Sequence, residues 1–262
     1  MGTVIRSKLN LLHRLLPPGG VITLQCLERN GISQELSRRY VKSGWLTKLG
    51  AGAFKKPDDD VDWQAALSAI QMQLSVPLHV GAKSALELKG LAQYIKLGFG
   101  GMIFLFGNQG AKKLPKWFTD QNWKHKFHVT RNNLFPKEFE GGLTKVGSKP
   151  REITVSSPER AALEMLYLIP KKQSWEEADL IFENLRSLRS RHVQAHLEKC
   201  SSIKVKRLFL FFANRHNHSW LEKLDLSKVS LGSGKREIAK KGRLDKRYQI
   251  TVPTEFFQKA EQ

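Results

Sequence analysis

Apolar positions at the start of the chain recur at helical spacing and predict a first helix. Its apolar face consists of Ile5, Leu9, Leu12 and Leu16. The prolines and glycines of residues 17–20 end this helix, because neither residue type suits a helix interior. The segment contains no acidic residue, as in an organellar transit peptide, but its spacing favours a helix that packs on the elements after it.

Two short helices separated by a tight turn are predicted next. Thr23 is suited to cap the first, and Asn30 with Gly31 ends it, because these residues tolerate positive φ. Ser33 is suited to cap the second, which is predicted over residues 34–43. The apolar face of this helix is formed by Ile32, Leu36 and Tyr40. The opposite face carries the polar side chains of Gln34, Arg38 and Lys42.

A two-stranded ribbon is predicted after these helices, with strands over residues 45–49 and 53–56 around a glycine-bounded turn. Three lysines of the ribbon are placed to neutralise a phosphate backbone, namely Lys48, Lys55 and Lys56. Helix, turn, helix and ribbon together form the pattern of a winged helix-turn-helix. Through residue 56 the chain carries ten basic and two acidic residues, a net charge of +8, which favours DNA binding over a merely solvated helical pair.

The hydrophobic pattern after residue 57 predicts a mixture of helices and strands. Helices are predicted over residues 63–74 and 81–90. Strands are predicted over residues 77–80, 101–106, 124–131 and 151–155. We therefore predict an α+β protein with a winged helix-turn-helix domain over residues 1–95, followed by a larger mixed α+β domain over residues 96–262.

Capping signals indicate where two helices of the second domain begin. Ser157 precedes a proline at the first helical position, and Ser174 stands three residues before Glu177, as in a capping box. The helix around residues 203–213 becomes apolar on all sides towards its end. We expect that helix to be central and buried.

Basic residues are in excess along the whole chain. Its 262 residues carry a net charge of +20 and have a pI near 10.1, which favours nucleic acid as a partner before anionic membrane. Residues 96–262 hold 32 basic and 17 acidic residues, some of them in a predicted hairpin over residues 235–253 with its turn at residues 241–242. This excess fits a second DNA-facing surface, a surface for an acidic partner, or simple solvation.

Cysteine usage and apolar runs indicate the compartment. Cys26 and Cys200 are the only cysteines and lack the spacing of a zinc site, so we expect two reduced thiols. The apolar runs at residues 102–106 and 208–213 are far shorter than the roughly 20 residues that a membrane span requires. A soluble cytoplasmic protein with no membrane partner is therefore expected.

Candidate catalytic groups are weak. Asp62, Glu87 and Lys89 formally match the acidic and lysine residues of a metal-dependent nuclease. However, Glu87 and Lys89 fall in a predicted helix, where they would point about 200° apart. His192 and His196 share a helix face but lack a third ligand, so a solvated histidine pair is favoured. We predict no enzymatic activity, no cofactor and no metal site.

Several segments in combination give the chain a family resemblance. They are the winged segment itself and residues 40–46, 61–64, 79–90, 157–166, 204–210 and 247–253. With these segments the chain resembles the AbiEi-type antitoxins over nearly its whole length. None of the segments is a catalytic signature.

The resemblance implies a bacterial type IV toxin–antitoxin component whose winged domain represses its own operon at inverted repeats. It also implies a C-terminal domain that counteracts a nucleotidyltransferase toxin, and direct contact with that toxin is left open. On this resemblance, DNA contact falls on Gln34, Ser37, Arg38, Arg39 and Lys42 of the second helix of the motif and on Lys48, Lys55 and Lys56 of the wing.

Two alternatives stay open. One is a metal-dependent nuclease that uses Asp62, Glu87 and Lys89. The other is a transcription factor with no toxin partner. A nucleotidyltransferase reading frame beside this gene would favour an antitoxin over that second alternative.

Overall fold

The computed structural model describes residues 2–92, 101–139 and 141–260, with side chains except those of residues 2–7 and 258–260. The α-helices are α1 (Gly2–Leu15), α2 (Leu24–Arg29), α3 (Gln34–Lys42), α4 (Trp63–Gln73), α5 (Ala82–Leu88), α6 (Lys116–Thr119), α7 (Pro158–Leu168), α8 (Trp175–Glu183), α9 (Ser190–Lys199) and α10 (Ile203–Arg215). The strands are β1 (Ile22–Thr23), β2 (Thr47–Gly50), β3 (Ala53–Lys55), β4 (Leu78–Val80), β5 (Met102–Gly107), β6 (Lys126–Arg131), β7 (Leu143–Val146), β8 (Ile153–Ser156), β9 (Arg243–Asp245) and β10 (Ile250–Val252). Short 3₁₀ helices cover Leu221–Lys223, Leu226–Lys228 and Thr254–Ala260.

The elements from α1 to β3 form the winged unit. Both predicted caps are present: the side chain of Thr23 accepts from the Cys26 amide, and that of Ser33 accepts from the Leu36 amide. The wing strands pair antiparallel and, together with β1, form a three-stranded sheet in the order β1-β3-β2. A separate small core holds the unit together and consists of Leu12, Leu16, Ile22, Leu27, Ile32, Tyr40, Leu46 and Phe54. The predicted fold class and the winged helix-turn-helix are confirmed.

The rest of the described chain forms the sheet unit, built on a five-stranded sheet in the order β6-β5-β4-β8-β7. Strands β5 and β6 run parallel, as do β4 and β8, whereas β4 pairs antiparallel with β5 and β7 pairs antiparallel with β8. Helix α10 is buried on all sides from Val205 to Ala213, as predicted, and it packs on α7. Helices α5 and α7 also pack closely on each other.

The predicted domain boundary at residues 95 and 96 lies outside the described residues and stays a prediction, as does the apolar role of the Ile5 side chain. Within the described residues, α4, β4 and α5 belong to the large core of the sheet unit. The packing therefore changes from one unit to the other near residue 57.

Helix α4 connects the two units through two glutamine side chains. The Gln73 amide accepts from the Thr23 backbone N–H at 2.8 Å and donates to the Val21 carbonyl at 2.7 Å, as a neighbouring strand would. Gln71 forms the same kind of pair with strand β8. Its side-chain oxygen accepts from the Thr154 N–H at 2.7 Å, and its side-chain nitrogen donates to the Thr154 carbonyl at 3.2 Å. Backbone groups of both units are thus satisfied by one helix.

Two local predictions need correction. The Ser174 hydroxyl caps α8 as expected, but the Glu177 carboxylate does not close a capping box; it pairs instead with Lys83 at 2.7 Å. The basic hairpin exists, but its turn lies between β9 and β10, after residue 245, where the Asp245 carboxylate accepts from the Tyr248 N–H at 2.6 Å. An Asp side chain that closes a turn on its own backbone outweighed the glycine signal at residue 242.

A buried carboxylate organises the centre of the sheet unit. The Glu164 carboxylate of α7 accepts hydrogen bonds from Arg160 at 3.0 Å and from Ser156 at 2.7 Å. It also lies 2.8 Å from the Nε2 atom of the His79 ring. The Ala82 backbone N–H also donates to it, at 3.2 Å. Burial by itself would raise the pKa of Glu164, but His79, Arg160 and Ser156 together lower it to about 2. The carboxylate therefore links α7, β4, β8 and the start of α5.

We expect Glu164→Gln to destabilise the protein by about 3–5 kcal/mol, because the buried Arg160 loses its counter-charge. Equilibrium unfolding in denaturant measures the loss. Since the folded pKa lies below the ordinary 4.5, the stabilisation is present above that value and is lost as the pH falls towards about 2. A loss below about 1 kcal/mol at neutral pH would contradict this account of the core.

Candidate nucleic-acid interface

Helix α3 separates a buried face from a polar one. Tyr40 is buried against the small core, while Gln34, Arg38 and Lys42 on the other face are exposed. Among the described residues, no hydrogen bond or ion pair engages the side chains of these three residues. This face therefore presents two cations and an amide to the solvent, in the arrangement with which a helix-turn-helix reads a major groove.

Ser37 must be removed from the predicted DNA-contact set. Its side chain is fully buried, and its hydroxyl donates to the Ser33 carbonyl at 2.9 Å. A serine that bonds the carbonyl four residues earlier is occupied within its own helix. Its position next to Leu36 and three residues before Tyr40 puts it on the core face, so helical spacing alone would have excluded it.

Arg39 is exposed but already forms an ion pair within α3. Its guanidinium pairs with Glu35 one turn earlier, at 2.6 Å. An exposed pair of this kind contributes only about 0.3–0.5 kcal/mol, so a phosphate can displace Glu35 at small cost. Arg39 stays in the predicted interface, as a residue that approaches DNA together with an acidic neighbour.

The three wing lysines differ in their surroundings. Lys48 on β2 is exposed, whereas Lys55 and Lys56 are half-buried. The Lys55 ammonium also donates to the Asp59 carbonyl at 2.6 Å. Lys48 is therefore the wing cation best placed to meet a phosphate, and Lys55 has to leave an internal partner to do so.

The tip of the wing rests on the sheet unit. Gly50 lies so close to Trp117 that an added Cβ would stand 2.6 Å from the Trp117 Cβ, which leaves no room for a side chain. Next to it, the Gln121 side chain donates to the Leu49 carbonyl at 2.7 Å. The wing is thus held against α6 and the loop that follows, not free to swing.

Trp45, between α3 and β2, is an exposed aromatic residue near the predicted DNA-contact residues in the sequence. Its side chain is 46% exposed and meets the His13 ring edge-on, with 5.9 Å between ring centroids. Tryptophan is enriched at binding interfaces, because it combines a large apolar ring system with a hydrogen-bond donor. The available signal was a tryptophan directly after the helix-ending Gly44.

The residues proposed for a nuclease are not brought together as a metal site. Asp62 caps α4 by accepting from the Ala65 N–H at 2.8 Å and also pairs with Arg151. Lys89 donates to Thr144 at 2.9 Å. Glu87 lies at the end of α5, with both carboxylate oxygens buried and without a hydrogen-bond partner in the described structure. The described residues contain no group of three side chains that could hold a metal ion.

The two histidines of α9 have different surroundings, although a solvated pair was predicted. His192 is exposed, but His196 is buried between the rings of Phe135 and Phe139. Its Nδ1 lies 2.7 Å from the His192 carbonyl, and burial lowers its pKa. The prediction of a solvated pair is wrong for His196, because packing against aromatic rings removes it from water.

Comparison with known proteins shows which family the chain resembles in sequence. The profile described as "Transcriptional regulator, AbiEi antitoxin N-terminal domain" matches residues 5–97. A second, described as "Transcriptional regulator, AbiEi antitoxin, Type IV TA system", matches residues 101–253. The chain belongs to the AbiEi antitoxin family. The resemblance inferred from the sequence is thereby confirmed.

A solved structure shares the fold of this AbiEi-family chain. The crystal structure of the RV2827C protein from Mycobacterium tuberculosis superposes with a TM-score of 0.58 at 12% identity, covering 99% of this chain and 94% of that one. At this identity the likeness concerns the fold alone. No curated protein matches the sequence. In the described part of the chain, no helix is both long and apolar enough to cross a bilayer.

The buried Glu87 provides a test against the nuclease alternative. Burial raises its pKa from 4.5 to about 7, and the nearby Lys83 only partly offsets this effect. A raised carboxyl pKa means that stability is fully present below pH 4.5 and is lost as the pH rises through about 7. We therefore expect Glu87→Gln to melt at a higher temperature than the wild type at about pH 8, with the difference closing near pH 4.5.

Melting curves across this pH range measure the difference. A difference that does not change with pH would contradict the assignment of Glu87 as a carboxyl that folding keeps protonated. Magnesium-dependent DNA cleavage by the wild type that Glu87→Gln abolishes would instead support the nuclease.

Proposed function

We propose that this AbiEi-family regulator binds double-stranded DNA at its own promoter and represses its operon. Helix α3 enters the major groove with Gln34 and Arg38 at base edges, while Lys42 and the wing lysine Lys48 neutralise phosphates. Inverted repeats in the promoter would be occupied by two copies of the chain, one on each half-site. The protein acts in the cytoplasm, where promoter DNA is found.

One observation carries this proposal: the exposed face of α3 holds two cations that have no partner among the described residues, on a helix whose other face packs in a core. The net charge of +8 through residue 56 adds attraction to a duplex, and that attraction weakens as salt rises.

We further propose that the chain counteracts a nucleotidyltransferase toxin through the domain that follows residue 95. Family membership supports this role, and the basic excess of residues 96–262 offers an extended surface for it. Direct contact with the toxin is not part of the proposal. A nucleotidyltransferase reading frame beside the gene supports the antitoxin role; its absence favours a regulator without a toxin partner.

Arg38→Ala is expected to weaken binding to a promoter duplex by about 1–3 kcal/mol, and to weaken binding to unrelated DNA by less, because a base contact is sequence-specific. Titration of the full-length protein against both duplexes, at one fixed salt concentration, measures the two losses. The matched control is Lys199→Ala, which removes an exposed cation from α9. Equal losses on both duplexes would contradict base reading by Arg38, and no loss on either would remove α3 from the interface.

The two proposed roles are expected to be separable in the full-length protein. Arg38→Ala combined with Lys42→Ala should abolish repression of a promoter reporter yet still rescue growth when co-expressed with the neighbouring toxin from an independent promoter. The reason is that both changes lie on an exposed helix face and leave the sheet unit intact. Loss of rescue at an unchanged protein level would show that α3 also takes part in neutralisation.

A further inference from the structure

A concave surface lies on the sheet unit beside the wing. This basic groove has a volume of about 620 Å³ and is formed by α6, the loop after it and strand β6. Its floor is aromatic, with Phe118, Trp123 and Phe127, and Lys113 and Lys126 lie among its lining residues. No aspartate or glutamate is among the described residues that line it.

The segment that builds the basic groove is strongly cationic. Residues 101–131 contain six basic residues and one acidic residue, Asp120. Lys113 and Lys126 line the groove, Lys112 and Lys116 lie within two residues of its lining residues in the sequence, and all four are exposed. Lysine ammonium groups around an acid-free concave surface attract a polyanion, since the low-dielectric wall concentrates their field.

The aromatic floor is rigid rather than available to a ligand. The Trp123 indole N–H donates to the Phe118 carbonyl at 2.7 Å, and the Phe118 ring packs edge-on against Phe127 with 4.9 Å between centroids. Phe118 is fully buried. The floor thus supports the lysines but leaves no hydrogen-bonding group of its own to read a base. The charge of the exposed lysines favours phosphate as the bound group, although the groove is also lined by the polar side chains of Thr119, Gln121, Asn122 and His125.

The basic groove is joined directly to the wing. Gln121, which lines it, is the residue that donates to the Leu49 carbonyl of β2. Trp117, on the same short helix as Lys116, is the residue against which Gly50 of the wing tip packs. A hydrogen bond and a close contact therefore fix the position of the basic groove relative to the wing. A duplex bound at the wing would lie next to this groove.

We propose that the basic groove binds the phosphodiester backbone of the same duplex, next to the part contacted by the wing. This inference rests on the proposed promoter binding and extends its footprint onto the sheet unit. The lysines of the groove supply affinity and its salt dependence, whereas α3 supplies sequence discrimination. Because the wing and the groove are joined by fixed contacts, the added contacts require ordering of the lysine side chains only, not of one unit relative to the other.

The test compares the full-length wild type with the triple variant Lys113→Ala, Lys116→Ala, Lys126→Ala on promoter duplexes trimmed stepwise from each end. On the longest duplex, the slope of log affinity against log salt should become shallower by about 0.9 for each phosphate contact that is lost. On a duplex trimmed on the groove side, wild type and variant should bind equally. The preference for promoter over unrelated DNA should be unchanged.

Two further variants act as controls. Arginine at all three positions should restore the binding, because it keeps the charge. Removal of three exposed cations elsewhere, by Arg191→Ala, Lys199→Ala and Lys223→Ala, should leave the salt slope unchanged. Thermal melting of each variant checks that it is folded.

The outcomes separate the inference from the proposed function. If the wild type binds the promoter and the groove variant matches it on every duplex and at every salt concentration, the groove does not contact DNA, although promoter binding stands. If the variant loses only binding to single-stranded DNA or RNA, the duplex assignment is overturned. If the wild type itself fails to bind promoter duplexes, both proposals fall.

Discussion

The hydrogen bonds of two glutamines on helix α4 attach the winged unit, through that helix, to the five-stranded sheet. Gln73 pairs with the backbone of β1 in the winged unit, and Gln71 pairs with the backbone of β8 in the five-stranded sheet. Without these amides, backbone groups of β1 and β8 would lose their partners, at a cost of about 1–3 kcal/mol for each group that stays buried. The close contact at Gly50 adds a second point of attachment, so the orientation of α3 is set by the whole molecule.

Sequence reasoning succeeds here where the cause of a structure is local. The caps at Thr23 and Ser33, the amphipathic spacing of α3 and the glycine turn of the wing all lie within a few residues of their effects, and each was predicted. The family resemblance added what local patterns cannot supply, a shared fold and a class of function over nearly the whole chain.

Two of the predictions that failed depend on contacts between distant parts of the chain. Strand β7 was missed because four mostly exposed residues become a strand only by pairing with β8. The Glu177 carboxylate does not form the predicted capping box, because it pairs with the charged ammonium of Lys83, which is distant in the sequence. Ser37 is a different case: its position on the core face was readable from spacing, and the analogy with DNA-contact helices took precedence over it.

The strand-like pairing of Gln73 with Val21 and Thr23 has an evolutionary consequence. Its bonds engage only main-chain atoms, so the residues of β1 can be exchanged during divergence without loosening the attachment. Relatives whose aligned strands share few identities can therefore keep the same angle between their two halves, provided that an amide side chain persists at this position. At this point of attachment, selection would therefore act on the side chain of Gln73 rather than on the identities of the strand residues that it bonds.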